Sequence, residues 1–385
     1  MTSQKSRGFP QYASFAALLL MSLTFNLAAQ AQDVSDRSPA TLAPAPSIWS
    51  VVKTPNIQAV GAISANSEDD IWAVPSSTHP ISLHFDGNKW SAVPMANASR
   101  MDGVAVLSPT DVWAVGEQSN FVFSEIQHFD GTRWTVVPSP HFKSGEALNA
   151  VQAISAEDIF AVGSFVDEIF HKHNPLVEHF DGKQWRVVPT PRLPGGQSAE
   201  LLGIAIISPS DIWVVGGGFG SSHPGPLVMH FDGKQWSLVT VPGNGSLNGV
   251  TALSTDDVWA VGNQSAVGSS VESTLIEHWE GADWDVVPSP NVTNLNSLSS
   301  VAAISSTDVW AVGCAFCGDA GIGQAPLIEH WNGSRWTISP APSSGLGSDG
   351  NSVLAFPSGS VFVGGFAGLV GGGFESVILH TTMGL

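Results

Sequence analysis

The chain has 385 residues, of which 33 are acidic and 14 basic, for a formal net charge of −19. That balance repels nucleic acid and anionic membranes, so neither is an expected partner. With 43% hydrophobic residues the chain is too apolar to be mostly disordered, and 40 Gly with 25 Pro call for many turns.

At the N-terminus, Lys5 and Arg7 precede an apolar run from Ala13 to Ala29, and Ala29-Gln30-Ala31 supplies a small-x-small cleavage site. Residues 1–31 read as a secretory signal peptide, with an uncleaved anchor as the alternative. Residues 32–47, rich in Pro and Ala, read as a short extended linker. No later stretch is long and apolar enough to span a bilayer. The mature chain is expected outside the cytoplasm, secreted or periplasmic, and monomeric.

From residue 48 onward one phrase recurs. A short apolar strand ends in Ser, followed by Asp-Ile-Trp-Ala-Val-Gly, a variable gap, His-Phe-Asp-Gly-x-x-Trp and Val-Val-Pro. The second-strand aromatics are Trp72, Trp113, Phe160, Trp213, Trp259 and Trp310, with Phe362 in a degenerate seventh copy. Their spacing of 41 to 53 residues is about one propeller blade. Each copy predicts four strands: a first of small and branched residues, such as Val151 to Ile154, and a second opening at the Asp. The third ends at the repeated His; an Asp-Gly hairpin, in which both residues tolerate positive φ, leads to a fourth at the second Trp. The last copy lacks a fourth strand, and Ile48-Trp49-Ser50-Val51-Val52 is a fourth strand with no first three. The fold class is therefore all-β: a seven-bladed β-propeller of residues 48–385, its ring closed by the N-terminal strand completing the last blade.

Ile212-Trp213-Val214-Val215-Gly216-Gly217, with His230-Phe231-Asp232 and Trp236, resembles the kelch and galactose-oxidase-like propellers in outline. The whole mature chain is more similar to secreted bacterial repeat proteins built on Asp-Val-Trp-Ala-Val-Gly and His-Trp-Asp-Gly units. Most copies have one Gly where kelch has two, and the kelch Tyr is absent. The resemblance implies a fold and no particular chemistry.

Twelve His in an acidic chain raise the question of metal. Seven recur once per copy, and a catalytic centre does not need seven equivalents, whereas a packing unit does. The repeated pairs are expected to be structural hydrogen bonds: Asp70 with His84, Asp111 with His128, Asp158 with His179, Asp211 with His230, Asp257 with His278, and Asp308 with His330. Copy seven has Ser360 in the Asp position opposite His380.

The other five, His79, His141, His171, His173 and His223, fall in the gaps between strands two and three or between copies. Those gaps open on one face and vary in length, while the turns of the opposite face are nearly constant. A ligand-binding face is expected there, including Asp167, Glu168, Phe170, Phe219 and Phe316. His171-Lys172-His173 beside Asp167 and Glu168 is a metal candidate, although alternating loop residues produce the same pattern. Cys314 and Cys317 are expected to form a local disulfide rather than a redox or zinc site.

The only Tyr is Tyr12, which excludes a tyrosyl-radical copper site and a Tyr-nucleophile sialidase from the mature chain. No nucleophile elbow or P-loop is present, and no cofactor is expected. The leading reading is a secreted, non-catalytic binding scaffold for an extracellular protein or polysaccharide. The alternative is a carbohydrate-active hydrolase or lyase, with loop carboxylates or His171 and His173 at the channel mouth.

Overall fold

A computed structural model describes residues 48–119, 122–218, 225–265, 269–315, 325–342, 348–369 and 373–382. They form an all-β propeller with four-stranded, antiparallel blades. Copy three is typical, with strands Glu146–Ser155, Asp158–Val166, His173–Phe180 and Trp185–Val188 hydrogen-bonded in that order. The second strands are buried along almost their whole length, because each is sandwiched between neighbouring sheets. This is why they read as unbroken apolar runs and not as alternating ones.

The first strand begins earlier than its apolar stretch predicts, at Glu146 and not near Val151. A bulge at Asn149 places Leu148 and Ala150 against the adjacent residues Gly163 and Val162, breaking the alternation. The bulge explains the Gly of Ala-Val-Gly, since a Cβ on Gly163 would overlap the Ala147 carbonyl oxygen. The bulged Asn also ties copies together. Asn149 Nδ2 donates to the Leu201 carbonyl at 2.7 Å, Asn248 to Leu298 at 2.8 Å, and Asn351 to Val60 at 2.6 Å.

The hairpins between strands three and four work differently from the expected pair of positive-φ residues. Gly182 has φ +80, whereas Asp181 keeps an ordinary φ and acts through its carboxylate. Its Oδ1 accepts the N–H groups of Lys183 and Gln184 at 3.1 and 3.0 Å.

Seven hydrophobic clusters lie between successive copies among the described residues. In them the fourth-strand Trp of one copy meets the second-strand aromatic of the copy before. Trp134 stands edge-on to Trp72 at 5.7 Å and Trp185 to Trp113 at 5.8 Å. Trp49 repeats this with Trp310 at 5.6 Å, and its strand Ser50–Val52 pairs with Phe374–Thr382, Ser50 opposite His380. Ser50–Val52 thus becomes the outer strand of the last sheet.

The sheets do not divide as seven separate blades. Five are four-stranded, while the strands of copies four and five form one eight-stranded sheet through the single pair Gly217–Ser246. Copy four has a second Gly here, and without a Cβ its backbone comes against Ser246 closely enough to bond.

Candidate binding face

The turns joining strands one to two and three to four form one face of the ring. Here the repeated His and Asp come together: Nε2 of His84, His128, His179, His230, His278 and His330 lies 2.7–2.9 Å from Oδ1 of its partner Asp. Each of these rings also packs over the aromatic of its own second strand, with centroids 3.8–4.4 Å apart. In copy seven His380 stacks on Phe362 at 4.2 Å. Burial holds the His380 imidazole below its ordinary pKa.

The opposite face carries the variable loops, and its histidines are each held differently. His79 is half-buried in the loop before Ile81–Phe85. His141 Nδ1 bonds the buried Glu146 carboxylate at 2.6 Å, while 49% of the His side chain remains exposed. Glu146 also accepts from the Phe142 N–H at 2.9 Å and from Ser124 N–H and Oγ–H at 3.2 Å, so it fastens two loops. His173 lies 3.3 Å from Ser164 Oγ, and burial lowers its pKa. His171 is exposed with φ +52, a rare conformation for a residue with a side chain.

Asp167 is already engaged. Its carboxylate accepts the N–H groups of Ile169 at 3.0 Å, Phe170 at 2.6 Å and Lys172 at 3.2 Å. These bonds, that of Phe170 foremost, hold it below the usual carboxylate range. Glu168 faces Lys143 at 3.4 Å. Among the described residues no group of three His, Cys, Asp or Glu is placed to hold a metal ion, so the described part of the His171/His173 loop assembles no such set. Phe219, His223, Phe316 and Cys317 lie outside the described residues; Cys314 is disulfide-bonded.

Beside the Asp167 loop opens a recess of about 740 Å³ lined by Phe165, Phe170, Lys172, Arg192 and Leu193, among others. Ile169 and Phe170 on its rim are the most exposed large apolar side chains among the described residues, at 78% and 71%. The central channel, about 390 Å³, is lined by the first strands of all seven copies. An adjoining space of about 520 Å³ shares Gly61, Asp102 and Asn351 with it and adds Arg100.

Two carboxyls here were not anticipated from sequence: Asp102, in the wall of both spaces, and Glu200, close enough to Arg100 and Asp102 to feel their charges. Burial pushes Asp102 up to about 6, against the pull of Arg100, whose Nε is 2.9 Å away. Burial likewise raises Glu200 to about 7. Three further carboxyls, Glu178, Glu277 and Glu329, precede the repeated His and are fully buried, pushed by burial to about 8, 7 and 8. The available signal was a charged residue inside an otherwise apolar strand, as in Arg100-Met101-Asp102 and in the Glu-His pairs.

No family model matches the chain, and no similar protein is found among curated ones. Solved structures do share its fold. YCF48 bound to D1 peptide superposes with a TM-score of 0.55 at 14% identity, covering 88% of this chain and 97% of that one. The WD40 β-propeller domain of Doa1 gives 0.56 at 11% identity, covering 87% and 96%. A PL25 polysaccharide lyase, ulvan lyase bound to -[GlcA(1-4)Rha3S]-, gives 0.55 at 11% identity, covering 81% and 90%. At these identities the likeness extends to the propeller fold alone.

Proposed function

We propose that the chain is a secreted, non-catalytic binding propeller whose variable-loop face contacts an extracellular protein or polysaccharide. In this reading residues 1–31 are a cleaved signal, 32–47 a linker and 48–385 one monomeric domain, kelch-like in outline. The eight-stranded sheet counts as two blades joined at one residue pair, which makes seven; the seven inter-copy clusters support this count. The observation that carries the function is the division of labour on the variable face. Polar side chains such as Asp167 and Glu146 hold loops in shape, while Ile169 and Phe170 are presented to solvent beside an open recess. Neighbouring propellers bound to peptide and to saccharide are consistent with either partner class.

The test is binding without turnover. The chain lacking residues 1–31 is applied to peptide and glycan arrays, and any glycan bound is followed for reducing-end release. Retention with no product is the expected result. A second reading, a carbohydrate-active enzyme, draws on the channel mouth. There Asp102 is raised to about 6, nearby Glu200 to about 7, where it exchanges a proton near neutral pH, and Arg100 supplies a cation. Product release abolished by Asp102→Asn or Glu200→Gln would replace the first reading with this one.

A further inference from the structure

We propose that the recess beside residues 167–172 is a docking site for an extended acidic peptide segment carrying a large apolar side chain next to a carboxylate. The inference rests on the binding reading above and names its partner class.

The loop is built to present Ile169 and Phe170. Besides the three carboxylate bonds, the Asp167 N–H donates to the Lys172 carbonyl at 3.0 Å, and the Asp167 carbonyl accepts from the His171 N–H at 3.2 Å. Asn174 Nδ2 adds a bond to the Lys172 carbonyl at 3.0 Å. The positive φ of His171 is a local strain that this network holds in place. A loop fixed before binding loses little entropy on binding, so its apolar tip is pre-organised as an anchor. The floor is equally fixed, since Phe165 is stacked on Phe142 at 4.3 Å.

Charge selects the partner. Lys172 and Arg192 line the recess, and among the described residues neither has a carboxylate within ion-pair reach. Lys172 Nζ is held by the Gly196 carbonyl, an uncharged acceptor. Of the two carboxylates present, Asp167 keeps its charge but turns its oxygens to backbone N–H groups, and Glu168 is paired with Lys143. With Lys143 beside Glu168, three cations stand around two carboxylates, a local excess of one positive charge in a chain of net charge −19. Ile169 favours a peptide among acidic macromolecules: a sugar stacked on Phe170 would leave the adjoining aliphatic side chain exposed, whereas a Leu or Phe side chain packs against both.

The experiment uses a fluorescein-labelled, end-blocked octapeptide alternating Asp with Leu and Phe, titrated with the full mature chain in fluorescence polarisation. The acidic apolar peptide is expected to bind, with a Kd that rises with salt. The same peptide with Lys for every Asp, or Ser for every Leu and Phe, should bind at least about tenfold more weakly. R192E and F170S should each weaken binding by about tenfold or more at unchanged Tm, because both side chains are exposed. Equal binding of the Lys peptide, or no effect of either substitution, overturns the site and leaves the scaffold reading standing. So does displacement of the peptide by oligogalacturonate, which would assign the recess to an acidic glycan. Failure of the acidic peptide to bind at all also overturns the site. Cleavage of that glycan would instead overturn the scaffold reading.

Discussion

His179 ends the third strand of copy three and His141 lies in the loop leading into that copy, on the opposite face, and the two do opposite things. His179 bonds Asp158 at 2.7 Å, lies over Phe160, and repeats five times around the ring with the same geometry. His141 bonds Glu146 at 2.6 Å, stands edge-on to Phe123 at 5.6 Å, and has no counterpart in other copies. One carboxylate–imidazole pair is a unit of architecture; the other shapes a single loop. The difference teaches that, in a repeat protein, recurrence separates packing chemistry from site chemistry better than residue type does.

The comparison is broken most severely from the constant-turn side. Trp72 is fully buried, stacked on His84 and edge-on to Trp134. Trp72→Ala should cost about 3–5 kcal/mol in urea unfolding, and no variable-face substitution should approach that.

Next in size is a pH effect. Glu178 and Glu329 are raised by burial to about 8 in the native state. Unfolded glutamates release their protons near their ordinary pKa, roughly 4.3, so between there and about pH 8 the native state holds protons that the unfolded state has lost. Stability should therefore fall as pH rises through that window. Scanning calorimetry from pH 5 to 8.5 should show Tm declining, on the order of 5 °C. The double variant Glu178→Gln/Glu329→Gln should flatten that slope; an unchanged slope would assign it elsewhere.

Asp211→Ser is milder. It copies into copy four the arrangement that Ser360 and His380 have in copy seven, and removes the 2.8 Å bond to His230. A loss of roughly 1 kcal/mol is expected, since the His edge can still reach water. Smallest of all is Asp167→Ala. Global stability should stay within about 0.5 kcal/mol, while amide exchange at residues 169–172 accelerates as the loop loses its three carboxylate bonds.

What was legible in the sequence was whatever repeats. The propeller, the six Asp–His bonds and the strand added by Ser50–Val52 all follow from positions recurring at blade spacing. Singular features were not legible. Asp102 and Glu200 come within electrostatic reach of each other only because bulged first strands from different copies converge around the channel. Asp167 reads as a candidate ligand until its backbone partners are seen. The fusion of two sheets at Gly217 depends on a local approach that no periodicity encodes.

Ring closure has a consequence for how the chain reaches its fold. Ser50 pairs with His380, 330 residues away, so the outer strand of the last sheet is synthesised first and waits longest for its partner. Contacts this distant in sequence form late, after the intervening copies have condensed. Until then both the Ser50–Val52 segment and the Phe374–Thr382 edge stand open, and each can pair with the complementary edge of another chain. At high concentration during refolding, exchange of that short N-terminal strand between chains would compete with closure, yielding strand-swapped oligomers alongside closed rings.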